Sequence, residues 1–227
     1  QVSTTLYNAV LKAELEVTQR SNHSMIVTYV KPSMDAAIAG DYKDLKFVNN
    51  LDAPIYIEGY TVGKDIYFNI YGQETRPSNR KVTYESEVVS EEDPGTQFVA
   101  TGDAIGSIST TQGKHMGYVA RLWKIVTVDG VEQSRDAINK STYKSSPKIV
   151  NVGTASADPN AVAAVNAAVA TGDEATIYAT VAQYSGAGQT PSEAPAEAPT
   201  DSSAEAAAII GTVDESQITG NTTTEGQ

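Results

Sequence analysis

Apolar residues recur at Leu6, Val10, Ala13 and Val17, the spacing of one face of an α-helix, and predict a helix over Ser3 to Gln19 with Ser3 or Thr4 capping its start. After Arg20 the period shortens. The runs SMIVTYV, KDLKFVNN, PIYIEGYTV and KDIYFNIYG are rich in Ile, Val, Tyr and Phe and are punctuated by Pro32, Asn49-Asn50, Asp52, Pro54 and Gly63. That pattern predicts an antiparallel meander. A helix followed by these strands makes a small α+β unit over residues 1–72.

Residues 73–80, QETRPSNR, are polar, contain Pro77 and break the strand pattern, so they read as a linker. A second β-rich region follows over residues 81–154, an all-β, elongated module. KVTYESEVV, YVARLWKIVTV and VEQSRDAI read as strands, and Asp129-Gly130 sits between Val128 and Val131 as a two-residue hairpin turn requiring positive φ. TYKSSPKIVNVGT closes the region. Asp158-Pro159-Asn160 then opens an Ala-rich helical segment over residues 155–184, with a break at Thr171-Gly172-Asp173 and marginal stability of its own. Residues 185–227 are low-complexity Pro, Ala, Glu, Ser and Thr, which predicts a disordered acidic tail with one apolar patch, AAAIIGTV.

Charge sharpens this division. All 16 Lys and Arg of the 227 residues lie at or before Lys148, together with 18 of the 28 acidic residues, so that part carries a net −2 of the chain's −12. The body is nearly neutral, with no basic face to neutralise phosphates, which argues against a nucleic-acid partner. No run of 18 apolar residues crosses a membrane, so any export signal or anchor lies upstream of Gln1 or is absent. The sequence has no cysteine, which excludes a disulfide, a thiolate metal site or a thiol nucleophile within these residues. Exported proteins of Gram-positive bacteria often lack cysteine altogether, so the composition favours export.

Few residues announce chemistry. G-x-x-x-x-G-K-[ST], G-x-G-x-x-G, G-x-S-x-G and H-E-x-x-H are all missing, which leaves phosphoryl transfer, dinucleotide chemistry and zinc hydrolysis without support. His115, in TQGKHMG, has no second ligand at metal spacing, and EEDPG at Glu91 to Gly95 lacks the alternating oxygen ligands of a calcium loop. No cofactor or metal is expected. Gln1, Ser3, Thr4, Thr5 and Tyr7 bring polar groups and hydroxyls to a helix N-terminus, where free N–H groups can hold a carboxylate, although ordinary capping uses the same residues. Trp123, Tyr118, Tyr143 and Arg121 can form a sugar-stacking surface, or Trp123 can be a packed strand position.

QVSTTLYNAVLKAELEVTQRSNHSMIVTYV and DAAIAGDYKDLKFVNNLDAPIYIEGYTVGKDIYFNIYG, in that order, resemble the C-terminal part of a VanW-family domain. The family consists of Gram-positive surface proteins named for an accessory gene of vancomycin-resistance clusters. In it a Gly and a Cys precede the Gln that matches Gln1, so the resemblance implies a Cys directly upstream. A region thought to bind peptidoglycan commonly precedes the domain, and the same region precedes L,D-transpeptidases, which use a Cys nucleophile. His23 and Ser24 match the family's His-Ser pair, so His23 is the candidate general base for such a thiol, or else a hydrogen-bonded structural residue. Asp35, Tyr42, Asp44, Asn49 and Asn50 match as well, the two Asn also suiting a turn before Pro54. Ser33 and Met34 stand where members commonly carry Gly-Arg.

Gly113, Gly117, the Asp129-Gly130 turn, SRDAINKSTYK and NVGT with Gly153 resemble a five-glycine (G-five) domain. Such modules are elongated β-structures of bacterial surface proteins, associated with wall enzymes and adhesins and with polymers containing N-acetylglucosamine. The two resemblances together imply an extracellular protein of the cell surface or wall. Its expected function is non-catalytic binding to peptidoglycan or its glycan. The alternatives are part of a cysteine-dependent, L,D-transpeptidase-like enzyme and a spacer with no ligand. The ligand-binding candidates are Gln1, Ser3, Thr4, Thr5, Tyr7, His23, Asp35, Tyr118 and Trp123; oligomeric state is not legible.

Overall fold

A computed structural model describes residues 1–186. The expected acidic tail and its AAAIIGTV patch fall, from residue 187 on, outside the described residues. The fold is α+β, with helices at both ends of a mostly antiparallel β framework.

The first helix, α1, runs over Val2–Lys12 with Gln1 at the N-cap, so Ser3 and Thr4 lie inside it rather than capping it. It also stops well short of Gln19. Glu14 turns into the left-handed region at φ +56°, while its N–H bonds Leu11 O and the N–H of Leu15 reaches back to Val10 O. This is the paired 6→1 and 5→2 closure usually given to glycine. Helical periodicity continues through Val17, but the backbone has already turned into strand β1, Glu16–Gln19.

Strand β1 pairs with β2, Lys46–Val48, and Asn50 Oδ1 receives the Glu16 N–H. Strands β3, Tyr56–Val62, and β4, Asp65–Tyr71, form a separate hairpin in even register from Tyr56 opposite Tyr71 to Val62 opposite Asp65. The predicted meander is thus two independent ribbons. SMIVTYV forms no strand despite its composition. The segment crosses the end of a later strand, where Lys144 N–H bonds Ser24 O, and leads into Pro32 and a buried Ser33 at φ +66°.

The second region comprises β5 (Arg80–Glu92), β6 (Thr96–Ala104), β7 (Ile108–Gln112), β8 (Gly117–Val128), β9 (Val131–Tyr143) and β10 (Lys148–Ala155). They build two three-stranded sheets, β5-β8-β9 and β6-β10-β7, with β10 parallel to β6. Strands β6 and β7 were hidden in sequence because their residues lack clean apolar alternation. Asp129 and Gly130 take φ of +50° and +79°, the conformation a two-residue turn between right-twisted strands demands. Gly153 answers a different need: a Cβ there would stand 2.2 Å from Ala104 O and 2.8 Å from Asp103 O, so only glycine lets β10 approach that backbone.

Helices α2, Pro159–Thr171, and α3, Glu174–Tyr184, lie on the β6-β10-β7 sheet. Asp158 caps α2, Gly172 ends it at φ +69°, and Asp173 caps α3 through the Thr176 N–H. Val165, Ala168, Ile177 and Val181 bury against Val150 and Val152, with Phe98 and Ile108 beside them. These helices complete a core, each buried Val or Ile contributing roughly 1.5–3 kcal/mol by transfer from water.

The other core spans the two halves of the chain. Tyr7 and Leu11 of α1 pack with Ala36 on Leu122 of β8, while Tyr84 of β5 covers the edge and donates its hydroxyl to Leu11 O at 2.6 Å. Glu14 fastens the same seam. Its carboxylate lies 2.5 Å from Arg80, 2.7 Å from Lys124 and 3.2 Å from Arg76. The bonds from Arg80 lead in holding the Glu14 pKa at about 2 against the effect of burial. A left-handed glutamate costs about 1–2 kcal/mol in backbone energy, which this cluster of cations offsets.

Candidate functional site around Asp35

Asp35 is fully buried and carries five hydrogen-bonding interactions. Oδ1 accepts from Arg20 Nη2 at 2.8 Å and from the Tyr143 hydroxyl at 2.5 Å. Oδ2 accepts from the His23 backbone N–H at 2.7 Å and faces His23 Nδ1 at the same distance. Arg20 Nε also donates to the Asp35 carbonyl at 2.7 Å. Burial pushes the Asp35 pKa up, yet the bonds from His23 and Tyr143 and the charge of Arg20 outweigh it and hold the carboxyl below its usual range. Tyr143 responds oppositely. Burial first, then its bond to the carboxylate, pushes its phenol up to about 12.

The network continues inward. Ser141 Oγ accepts from Arg20 Nη1 at 2.7 Å and from Ser33 Oγ at 2.8 Å, and the Ser33 N–H donates to Tyr143 Oη at 2.8 Å. Arg20 and Ser33 come from the first region, Ser141 and Tyr143 from β9. The arrangement is therefore a polar seam between the two regions, parallel to the apolar one formed by Leu122.

His23 occupies the outer end of the seam, its side chain 30% exposed. Because an ionised carboxylate only accepts, the hydrogen facing Asp35 sits on Nδ1, a tautomer that leaves Nε2 on the far side of the ring. Tyr29 stands edge-on to the ring at 6.3 Å. Chemically this is a carboxylate-oriented imidazole, able to take a proton at Nε2.

The helix-mouth hydroxyls do not form an open anion site. Ser3 Oγ and Thr4 Oγ1 both donate to Ala36 O, and Thr4 Oγ1 receives the Ala36 N–H, which clamps the residue after Asp35 onto α1. Thr5 Oγ1 donates to Gln1 O, and Tyr7 Oη receives Asn139 Nδ2 at 2.7 Å. Ser24 and Asn22 hold Lys43, Asp44 caps Leu45, and Asn49 and Asn50 serve the loop and strand beside them. Tyr42 is exposed.

Tyr118 and Trp123 are not joined into one surface. Five residues apart on β8, they project to opposite faces by strand alternation, and Trp123 Nε1 is bonded to Glu87 Oε2 at 2.7 Å. Tyr143, opposite Tyr118, is buried at the seam, so it offers no sugar platform; Arg121 is half-buried on β8. His115 forms an isolated bridge with Ser146. Among the described residues no group of three or more His, Cys, Asp or Glu gathers as metal ligands. Arg20, Ser33 and Ser141 escaped sequence reading as site residues, because nothing local ties them to an Asp whose partner lies 108 positions away.

This organisation has counterparts. Residues 1–71 match the family model described as VanW like protein, and residues 74–155 match that of the G5 domain. Residues 1–71 are a VanW-like segment, and a G5 domain follows it over residues 74–155. The uncharacterized protein YoaR of Bacillus subtilis (strain 168) is 36% identical over 74 residues, 33% of this chain and 24% of that relative. The chain thus spans about a quarter of that relative's length. Among solved structures, the IgA1 protease G5 domain is similar at 26% identity and TM-score 0.25 over 34% of this chain and 94% of that one. The HP0197 G5 structure is similar at 20% identity and TM-score 0.18, over 32% and 99%. Asp35 and Tyr143 thus lie one in each matched region, and the seam is a contact between the VanW-like segment and the G5 domain.

Proposed function

We propose that this chain is part of an extracellular, cell-wall-associated protein that adheres non-catalytically to peptidoglycan or its glycan strands. The observation carrying the reading is the G5 domain over residues 74–155, a module type of bacterial wall proteins, welded to the VanW-like segment through Asp35. The inward satisfaction of that weld supports it: every oxygen of Asp35 is used by the protein itself, as in a strut. No helix among the described residues is long and apolar enough to cross a membrane, which leaves them compatible with a place outside the cell. Sedimentation of the purified chain with Gram-positive sacculi tests the reading. Enrichment in the pellet over serum albumin is expected; equal partition of the two proteins would refute it.

The Asp35-oriented ring of His23 favours a second reading, in which a longer form of the protein performs thiol-dependent acyl transfer on cross-links with His23 as base. Its test is the muropeptide profile of sacculi after treatment with a form that includes the sequence preceding Gln1. New or missing cross-links that persist in wild type and vanish with His23→Ala would support it, and an unchanged profile would remove it.

A further inference from the structure

The hairpin β3–β4 carries a surface that neither the seam nor the G5 domain uses. Its even register puts three cross-strand pairs on one face: Tyr56 with Tyr71, Glu58 with Asn69, and Tyr60 with Tyr67. Both tyrosine pairs are stacked, with ring centroids 6.0 Å and 5.2 Å apart and planes inclined by 29° and 12°. All four rings remain 42–65% exposed, while the opposite hairpin face carries Phe68 and Ile70, both partly buried. Between the pairs, Glu58 Oε2 accepts from Asn69 Nδ2 at 2.9 Å and from Tyr71 Oη at 3.1 Å. Glu58 Oε1 and Asn69 Oδ1 receive no donor from the described residues.

We propose that this strip binds a linear, uncharged polysaccharide strand, with pyranose rings against the tyrosine pairs and sugar hydroxyl or acetamido N–H groups donating to Glu58 and Asn69. The proposal names the contact surface for the wall adherence proposed above and rests on that reading. The alternation of aromatic, acceptor and aromatic matches a sugar, whose C–H faces are apolar and whose rim is rich in donors. Tyr56 and Tyr60 are four strand positions apart, roughly 13 Å, so an oligosaccharide and not a monosaccharide spans both pairs. The strip has a carboxylate and no cation, which disfavours a polyanion. A dry interface with a second copy would bury the two free acceptors without donors, a loss that a sugar's hydroxyls avoid.

The test uses the whole chain and chitohexaose as the neutral probe. Titration followed by backbone amide shifts is expected to move Gly59, Tyr60, Tyr67 and Asn69 and to leave the Asp35 seam unmoved. Y60A/Y67A is expected to weaken binding at least tenfold while the amide shifts of the Asp35 seam stay those of wild type, and Y60F/Y67F to retain it. Shifts confined to β8 and β9, or full binding by Y60A/Y67A, would overturn the strip while leaving wall adherence in place. Pelleting with sacculi but no response to chitohexaose would do the same, and failure of both assays would remove both proposals. A dimer that Y60A/Y67A dissociates, with no sugar response, would assign the face to a second copy and overturn the proposal.

Discussion

The hydroxyl of Tyr143, at the end of a G5-domain strand, donates to the carboxylate of Asp35 in a loop of the VanW-like segment, 108 residues earlier, and both groups are buried. Either substitution at this contact leaves a polar partner without its bond. Tyr143→Phe orphans one bond of Asp35 and the Ser33 N–H, and is expected to cost about 2–3 kcal/mol in chemical denaturation. Asp35→Asn leaves Arg20 without its charge partner and is expected to cost about 3–5 kcal/mol. The two losses should be non-additive by about 1–2 kcal/mol in a double-mutant cycle, as for groups in direct contact.

Ser33 is a buried non-glycine residue in the left-handed region, at φ +66°. Ser33→Gly removes backbone strain worth about 1 kcal/mol but deletes the bond to Ser141, so its effect on the melting temperature should be small. Ser33→Ala keeps the strain and loses the bond. It should destabilise by about 1–2 kcal/mol relative to wild type, and the order Ala below Gly in a thermal melt checks the account.

Acid should loosen the junction before it melts the helices α2 and α3. The folded pKa of Glu14, about 2, lies below its ordinary value of 4.5, so its stabilisation is complete above pH 4.5 and is lost as pH falls toward 2. Asp35, also lowered, acts in the same direction. Urea midpoints measured from pH 6 down to about pH 2.5 should fall for wild type and change less for Glu14→Gln, which starts lower and has lost that linkage.

Gly153→Ala forces a methyl into the Ala104 and Asp103 carbonyls. A loss of about 3 kcal/mol or more is expected, since backbone and not a flexible side chain must yield. A wild-type melting temperature for this variant would show that β6 and β10 are not held at that distance in solution.

Much of the β framework was legible because its signals are local. Asp129-Gly130 announces its own turn, and alternation around Gly63 marks the β3–β4 hairpin. The end of α1 was not legible, since Glu14 is a good helix former whose left-handed turn is sustained by Arg80 and Lys124, residues far away in sequence. The misread strand at SMIVTYV has the same origin: Val27 and Tyr29 have the right composition, but no neighbouring strand offers them a ladder. For the site, the chain's likeness to its families pointed at His23 and Asp35, whereas their meaning depends on Tyr143 and Ser141, which only the packed structure brings to them. The tyrosine strip was within reach of a careful pairing of β3 with β4, because once the turn at Gly63 is fixed the register places Tyr60 opposite Tyr67.

The central claim is that the VanW-like segment and the G5 domain are one cooperative body, joined by Asp35, Glu14 and the packing of Leu122. Differential scanning calorimetry of the chain tests it most directly. A single transition, with calorimetric and van't Hoff enthalpies in agreement, is predicted for wild type, and Asp35→Ala combined with Glu14→Ala should split it. Two separate transitions in the unmodified chain would contradict the account.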